Sequence, residues 1–197
     1  MDLISRIALH FEDSVRAQQA SSEALAVPIL EATELMVRSL LANGKILACG
    51  NGGSAADAQH FASELVSHFE RERPELAALA LSADMVVLSA VANDYAWEQV
   101  FAKQIRAIGQ ANDVLLAIST SGNSANVLAA VEAAHERDMR VIALTGSGGG
   151  KLASMLADGD VLICVPHDRT ARIQEIHILV IHCICDGIDC LLMGEES

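Results

Sequence analysis

Short apolar segments alternate along the chain with longer segments in which apolar and polar residues repeat at helical spacing. The five apolar segments each have the length of a buried strand. Continuous apolar strands that alternate with helices are typical of a parallel sheet covered on both faces. The pattern therefore predicts a three-layer α/β/α sandwich with a five-stranded parallel sheet. The strands are predicted at 45–49, 76–81, 114–118, 140–144 and 160–165, and the helices near 54–70, 85–108, 124–137, 149–157 and 169–193.

Residues 3–42 precede the first predicted strand and contain two helical series of apolar residues. Pro28 lies between the two series and is predicted to start or kink the second helix, because proline lacks an amide hydrogen. Asn43-Gly44 is predicted to end that helix. We expect one domain over residues 1–197, in which residues 1–43 form an N-terminal helical extension.

The composition changes this picture in two ways. The chain is 52% hydrophobic with a mean hydropathy of +0.34, which is apolar for a soluble monomer and predicts an oligomer with buried interfaces. The formal charge of −13 argues against direct binding to nucleic acid or to an anionic membrane, since both need a cationic face. The charged run Glu70-Arg71-Glu72-Arg73 is predicted to be solvated.

A cytoplasmic location is expected from the absence of targeting signals. The first residues lack the basic and apolar regions of a signal peptide. The apolar run Ile176–Cys185 is interrupted by two histidines and is too short for a membrane span. Cys183, Cys185 and Cys190 have no C-x-x-C spacing, so we interpret them as small core residues.

Loops rich in glycine and hydroxyl residues follow the predicted strands, where ligands bind in open α/β sheets. The loop 119–124 has four hydroxyls before a helix and favours phosphate binding over simple helix capping, which needs only one hydroxyl. The loop 50–55 fits the dinucleotide pattern G-x-G-x-x-A. The acidic residue at the end of the next strand comes too late for that fingerprint, so a smaller ligand is favoured.

Two helices contain residues that could bind metal or substrate. His60 and Glu64 are four residues apart and share one helical face, within reach of a common metal or substrate. An exposed hydrogen-bonded pair is the alternative. On the last helix, His177 and His182 cannot both serve one site if the helix is regular, whereas Gln174 and His182 could converge with extended side chains. The spacing leaves open whether the histidines belong to a site or to the core or an interface.

Six motifs spread over nearly the whole chain give the sequence a family resemblance. It resembles the sugar isomerase (SIS) domain family and, within it, the phosphoheptose isomerases. The motifs are C-G-N-G-G-S from Cys49, H-F-x-x-E-L from His60, A-N-D from Ala92, A-I-S-T-S-G-N-S from Ala117, A-L-T-G from Ala143, and R-I-Q-E-I-H from Arg172 with His182 beyond.

This resemblance implies a homotetramer with active sites at subunit interfaces and one zinc ion per subunit. It implies conversion of sedoheptulose 7-phosphate to D-glycero-D-manno-heptose 7-phosphate, the first step toward lipopolysaccharide heptose. Glu64 and His182 would share the acid–base chemistry. The implied zinc ligands are His60, Glu64, Gln174 and His182. The implied substrate-binding residues are Asn51, Gly52, Gly53, Glu64, Asn93, Asp94, Ser119, Thr120, Ser121, Ser124 and Gln174.

One related protein offers an alternative function. The DnaA initiator-associating protein has the same fold and a similar segment to Thr170–Glu175, and it is a non-catalytic partner of the replication initiator DnaA. Many phosphoheptose isomerases have an acidic residue where this chain has Ala171, which puts any contact at that position in doubt. The retained Glu64 and His182 favour the enzyme.

Overall fold

The computed structural model describes residues 2–194, and these form the predicted three-layer α/β/α sandwich. All strand pairs in the sheet are parallel. The strand order is β2-β1-β3-β4-β5, and the strands are β1 (Ile46–Cys49), β2 (Ala78–Ala80), β3 (Val114–Ser119), β4 (Arg140–Thr145) and β5 (Val161–Cys164).

Helices cover both faces of the sheet. They are α1 (Leu3–Leu41), α2 (Gly53–Val66), α3 (Met85–Asp94), α4 (Ala102–Ile108), α5 (Ala125–Glu136), α6 (Gly150–Met155) and α7 (Thr170–Met193). Two short 3₁₀ turns lie at Trp97–Gln99 and Ser147–Gly149. Alternate residues of the strands enter two separate cores, one under α1, α2 and α7 and the other under α3, α4, α5 and α6.

The prediction of one continuous helix over 85–108 is wrong. It is divided into α3, a 3₁₀ turn and α4. The break follows Asn93-Asp94, and Tyr95 leaves the helical conformation with φ −129° and ψ −92°. The polar pair therefore lies at the end of α3.

The N-terminal extension is one helix, so Pro28 does not start a second helix, and the alternative that it kinks the helix stays a prediction. Helix α1 runs for 39 residues with Pro28 inside it. An internal proline costs a helix about 3 kcal/mol. Packing of the following half against the core, through Ala32 and Met36, which are fully buried, offsets that cost. As predicted, α1 ends before Asn43, whose φ of +60° is left-handed.

Helix α7 lies in the core despite its strongly apolar sequence. Within the described residues it alone is long and apolar enough to cross a membrane by length and composition, with a mean hydropathy of 1.9. Its isoleucines face inward, among them the fully buried Ile173, Ile181 and Ile184. Each such side chain contributes roughly 1.5–3 kcal/mol to folding. The hydropathy of α7 thus reflects a buried core helix.

Two of the burial predictions for polar and cysteine residues are wrong. Arg73 is buried in an ion pair with Asp189 rather than solvated, because its guanidinium caps the end of α2 from inside the protein. Cys183 is exposed, whereas Cys185 is buried and Cys190 is half-buried, because Cys183 points away from the sheet on α7. The cysteines all have free thiols.

Candidate functional site

The loop 50–55, called the glycine loop below, connects β1 to α2 at the carboxyl end of the sheet. Gly52 adopts a φ of +55°, a left-handed conformation that glycine tolerates best. A Cβ on Gly53 would overlap the side-chain amide of Gln174, so α7 approaches the first residue of α2 closely. This brings Asn51, Gly52, Gly53 and Gln174, all predicted substrate-binding residues, into one region.

The loop 119–124, called the serine loop below, connects β3 to α5 beside the glycine loop. Ser119 ends β3 and is buried, with its Oγ 3.1 Å from Oγ of Ser124. Ser124 occupies the N-cap position of α5, yet its hydroxyl makes no capping bond to the helix. Thr120 is half-buried and Ser121 exposed. The hydroxyls therefore do not serve as ordinary helix caps, and the N-terminal amides of α5 remain available to an anion.

His60 contacts the two residues predicted to share the acid–base chemistry. Its Nε2 lies 3.0 Å from Nε2 of His182 on α7 and 3.4 Å from Oε1 of Glu64 on α2. The Glu64 side chain is 17% exposed and that of His60 is 41% exposed, so solvent reaches the group. Phe69 stacks on His182, with ring centroids 5.3 Å apart. His60 and Glu64 lie next to each other on α2, as their spacing predicts, and His60 contacts His182 of α7. The roles of these residues in one site stay a prediction.

The donor set of this group fits zinc. Two imidazoles and a carboxylate are ligands that zinc accepts, whereas the amide of Gln174 lies against Gly53, two turns before His182 on α7. Two nitrogens that each lie about 2.0–2.1 Å from one tetrahedral zinc ion are roughly 3.3 Å apart, close to the 3.0 Å between the two histidines. Over residues 2–194, however, no three His, Cys, Asp or Glu side chains converge as a preformed metal centre. Instead, His60 lies between Glu64 and His182 and contacts both.

Helices α2 and α7 run side by side in the same direction, which explains how Gln174 and His182 can both reach α2. Gly53 faces Gln174 at one level, and His60 faces His182 two turns further along both helices. The two α7 residues thus meet α2 at different points. The spacing of Gln174 and His182 along α7 alone did not decide whether the two residues share a site.

Asn93 and Asp94 lie apart from this group. They end α3 and are exposed, and the Asn93 amide donates to the Asp94 carboxylate over 2.8 Å. Within residues 2–194, no side-chain hydrogen bond joins Asn93 or Asp94 to the other predicted site residues. Their substrate-binding role stays a prediction. Ala171 is exposed near the start of α7 and has no polar group to offer a ligand.

Sequence reasoning missed Asp57, which lies one turn before His60 on α2. Burial raises the pKa of Asp57 to about 6, and the charge of His60 opposes that rise. Its Oδ2 is buried without a hydrogen-bond partner among the described residues. A carboxyl that titrates near neutrality can exchange protons with a substrate or with neighbouring groups. The spacing of three residues before His60 was the signal that could have identified it.

His177 belongs to the core, which resolves the question that its spacing left open. It is fully buried on α7, and its Nε2 lies 3.1 Å from the carbonyl oxygen of Thr145 at the end of β4. Burial lowers the pKa of His177 to about 4. The residue is therefore neutral at physiological pH and anchors α7 to the sheet.

The substitution His177→Gln should make stability less sensitive to acid. The unfolded chain takes up a proton on His177 near pH 6.5, whereas the folded chain does so only near pH 4. The native state therefore loses stability as the pH falls through this window, by about 3 kcal/mol in total. Glutamine can still donate to Thr145 but does not titrate. Urea unfolding at about pH 7 and about pH 5 measures the difference. An unchanged pH dependence, relative to the exposed-site control His68→Gln, would contradict the assignment.

Comparison with known proteins identifies what the chain is similar to. Residues 10–146 match the SIS domain family. Phosphoheptose isomerases from Azoarcus sp. (strain BH72) and Aromatoleum aromaticum are 64% and 65% identical over 197 residues, which is the full length of both chains in each pair. Phosphoheptose isomerase GmhA from Neisseria gonorrhoeae superimposes with a TM-score of 0.92 at 60% identity, covering 95% of this chain and 99% of that one. These similarities do not favour the alternative of a DnaA-binding protein.

Proposed function

Because this chain belongs to the SIS-domain family and, within it, to the phosphoheptose isomerases, we propose that its strand-end site interconverts sedoheptulose 7-phosphate and D-glycero-D-manno-heptose 7-phosphate. The protein is an enzyme that isomerises a sugar phosphate. The observation that supports the specific site is the contact of His60 with both Glu64 and His182, on the helix α2 that begins at the glycine loop.

The reaction moves a proton between two adjacent carbons of the sugar. A base removes a proton from C1 of the ketose, and the electron pair of that C–H bond forms the C1=C2 double bond of an enediol. An acid protonates the former carbonyl oxygen at C2. The enediol then collapses to the aldehyde at C1 as C2 takes a proton and the C1 hydroxyl gives one up. Glu64 and His182 are the groups that we assign to this proton exchange, since both lie close to His60, Glu64 on the same helix α2 and His182 on α7.

The serine loop supplies the phosphate site in this proposal. Ser119, Thr120, Ser121 and Ser124 bring hydroxyl donors to the N-terminus of α5, where free amides and the helix dipole favour an anion. No basic side chain is needed, which is consistent with the net charge of −13. The glycine loop and Gln174 lie beside it and are assigned to the sugar.

Zinc is the proposed cofactor, one ion per subunit. His60, Glu64, Gln174 and His182 would hold it, and the contact of the two histidines supports that assignment. When bound, zinc supplies Lewis acidity that polarises the sugar oxygens.

A cytoplasmic homotetramer is the proposed form of the enzyme. The support comes from the apolar composition and from exposed apolar residues on the first half of α1, including Leu3, Ile4 and Phe11, which are 70%, 82% and 72% exposed. In a soluble monomer this row of apolar side chains would be exposed to water, whereas a subunit interface would cover it. A sedimentation mass near that of one 20.8 kDa chain would contradict the tetramer.

Turnover of sedoheptulose 7-phosphate by the purified protein tests the function. We expect formation of the aldose product, loss of activity after treatment with a chelator, and recovery on addition of zinc. Fructose 6-phosphate, which has one carbon fewer, serves as the control substrate and should react poorly. Absence of turnover by folded, zinc-loaded protein would overturn the proposal.

A further inference from the structure

The glycine loop and the serine loop are joined by a pair of reciprocal hydrogen bonds. Asn51 in the glycine loop donates from Nδ2 to Oδ1 of Asn126, and Asn126 donates from Nδ2 to Oδ1 of Asn51, both over 2.8 Å. Asn126 is the second residue of α5 and is 2% exposed. Each amide pairs its donor with the other's acceptor, which fixes the orientation of both groups.

We propose that Asn126 is a positioning residue, which holds Asn51 and the glycine loop at a fixed distance from the serine loop so that one sugar phosphate can contact both. This inference rests on the proposed function, because it assigns the sugar to one loop and the phosphate to the other. Asn126 is buried behind the loops and acts through Asn51. It is not among the residues predicted to bind substrate.

The serine loop has its own internal support, so the link serves the glycine loop. The Asn123 side chain donates to the Ser121 carbonyl over 2.7 Å and accepts from the Lys151 amide over 3.1 Å. The Leu152 amide donates to the Gly122 carbonyl over 2.9 Å. These bonds tie the serine loop to the start of α6 without any contribution from Asn126.

The glycine loop has less support of its own. Its backbone bonds are local, from the amides of Ser54 and Ala55 to the carbonyls of Asn51 and Gly52, both over 3.0 Å. Gly52 adds the conformational freedom of a residue with positive φ. The side-chain bonds to Asn126 therefore link the glycine loop to the start of α5.

The pairing also limits what Asn51 can offer a substrate. An asparagine amide has two N–H donors and two acceptor lone pairs, and the pair with Asn126 uses one of each. One donor and one lone pair remain, and both have a set direction. Such an arrangement suits a sugar hydroxyl, which donates one hydrogen bond and accepts another.

A double-mutant cycle tests the inference. Asn126→Ala should raise KM for sedoheptulose 7-phosphate about 10-fold, with a smaller change in kcat, and Asn51→Ala should raise KM further because it also removes a contact with the sugar. The double variant should be no worse than Asn51→Ala, because that change already removes the link. Multiplying effects in the double variant, or an unchanged KM in Asn126→Ala, would overturn the proposal.

Two further measurements separate this result from destabilisation and from failure of the proposed function. Ser39→Ala is the matched control, because it removes another buried side-chain bond, over 2.7 Å to the Asn112 carbonyl, at the opposite edge of the sheet. Ser39→Ala should leave KM unchanged. Backbone amide exchange at Ser54 and Ala55 should be faster in Asn126→Ala than in Ser39→Ala, whatever the enzyme's substrate. Equal exchange rates in the two variants would overturn the inference even if the wild-type enzyme turned over the sugar.

Discussion

The substitution Glu64→Gln should abolish isomerase turnover while leaving the fold and sugar-phosphate binding intact. Glutamine has nearly the same shape as glutamate, so it preserves the packing of a side chain that is 17% exposed. It cannot take up a proton near neutral pH, and a positioned acid–base group contributes typically about 10²–10⁴-fold to the rate. We therefore expect kcat to fall by about that factor.

The measurement follows aldose formation from sedoheptulose 7-phosphate, with circular dichroism and zinc content recorded for the same samples. The zinc content is needed because Glu64 is also a proposed ligand. If zinc is retained and turnover is lost, the defect lies in proton transfer. The control is Glu31→Gln, which changes an exposed glutamate of α1 and should be fully active. A fully active Glu64→Gln enzyme would show that the base lies elsewhere.

The substitution Arg73→Met should lower the free energy of unfolding by about 3–5 kcal/mol, because it leaves a buried carboxylate without its partner. Arg73 and Asp189 form an ion pair over 2.6 Å, and their side chains are 1% and 2% exposed. The Arg73 guanidinium also donates to the carbonyls of Glu64 and Leu65 at the end of α2. Methionine fills similar space but satisfies none of these groups.

Urea unfolding at one fixed protein concentration measures this loss. The matched control is Arg106→Met, whose ion pair with Glu136 is at the surface, with side chains 41% and 54% exposed. That change should cost less than about 1 kcal/mol. Adding Asp189→Leu to Arg73→Met should recover part of the lost stability, since the unpaired charge is then removed. Equal losses in Arg73→Met and Arg106→Met would contradict the importance of burial.

The fold could be predicted because its signals are local. A buried parallel strand is a short apolar run, and β3 and β4 agree with their predicted bounds to within one residue at each end. Pro28 was misleading because its local cost is outweighed by contacts with distant parts of the chain. The position of a proline in the sequence gives no information on how much packing the following turns gain.

Part of the site could be predicted for the same reason. His60 and Glu64 are four residues apart on one helix, and helical geometry alone places them on one face. The partners of Asn126 and Arg73 could not be predicted in this way. Asn51 is 75 positions from Asn126, and Asp189 is 116 positions from Arg73. A charged run and a loop asparagine look solvated until the fold brings their partners to them.

The parallel packing of α2 and α7 also has a consequence for how the enzyme is made. His60 and His182 are 122 positions apart, so a ribosome that adds about 5–20 residues per second completes His182 roughly 6–24 s after His60. The serine loop is synthesised during that interval, and until α7 follows, the apolar face of α2 around Phe61 and Leu65 has no α7 to cover it. The nascent chain therefore passes through a stage in which it is prone to aggregation and has no catalytic activity. Catalytic competence and protection from aggregation arrive together, with the last helix.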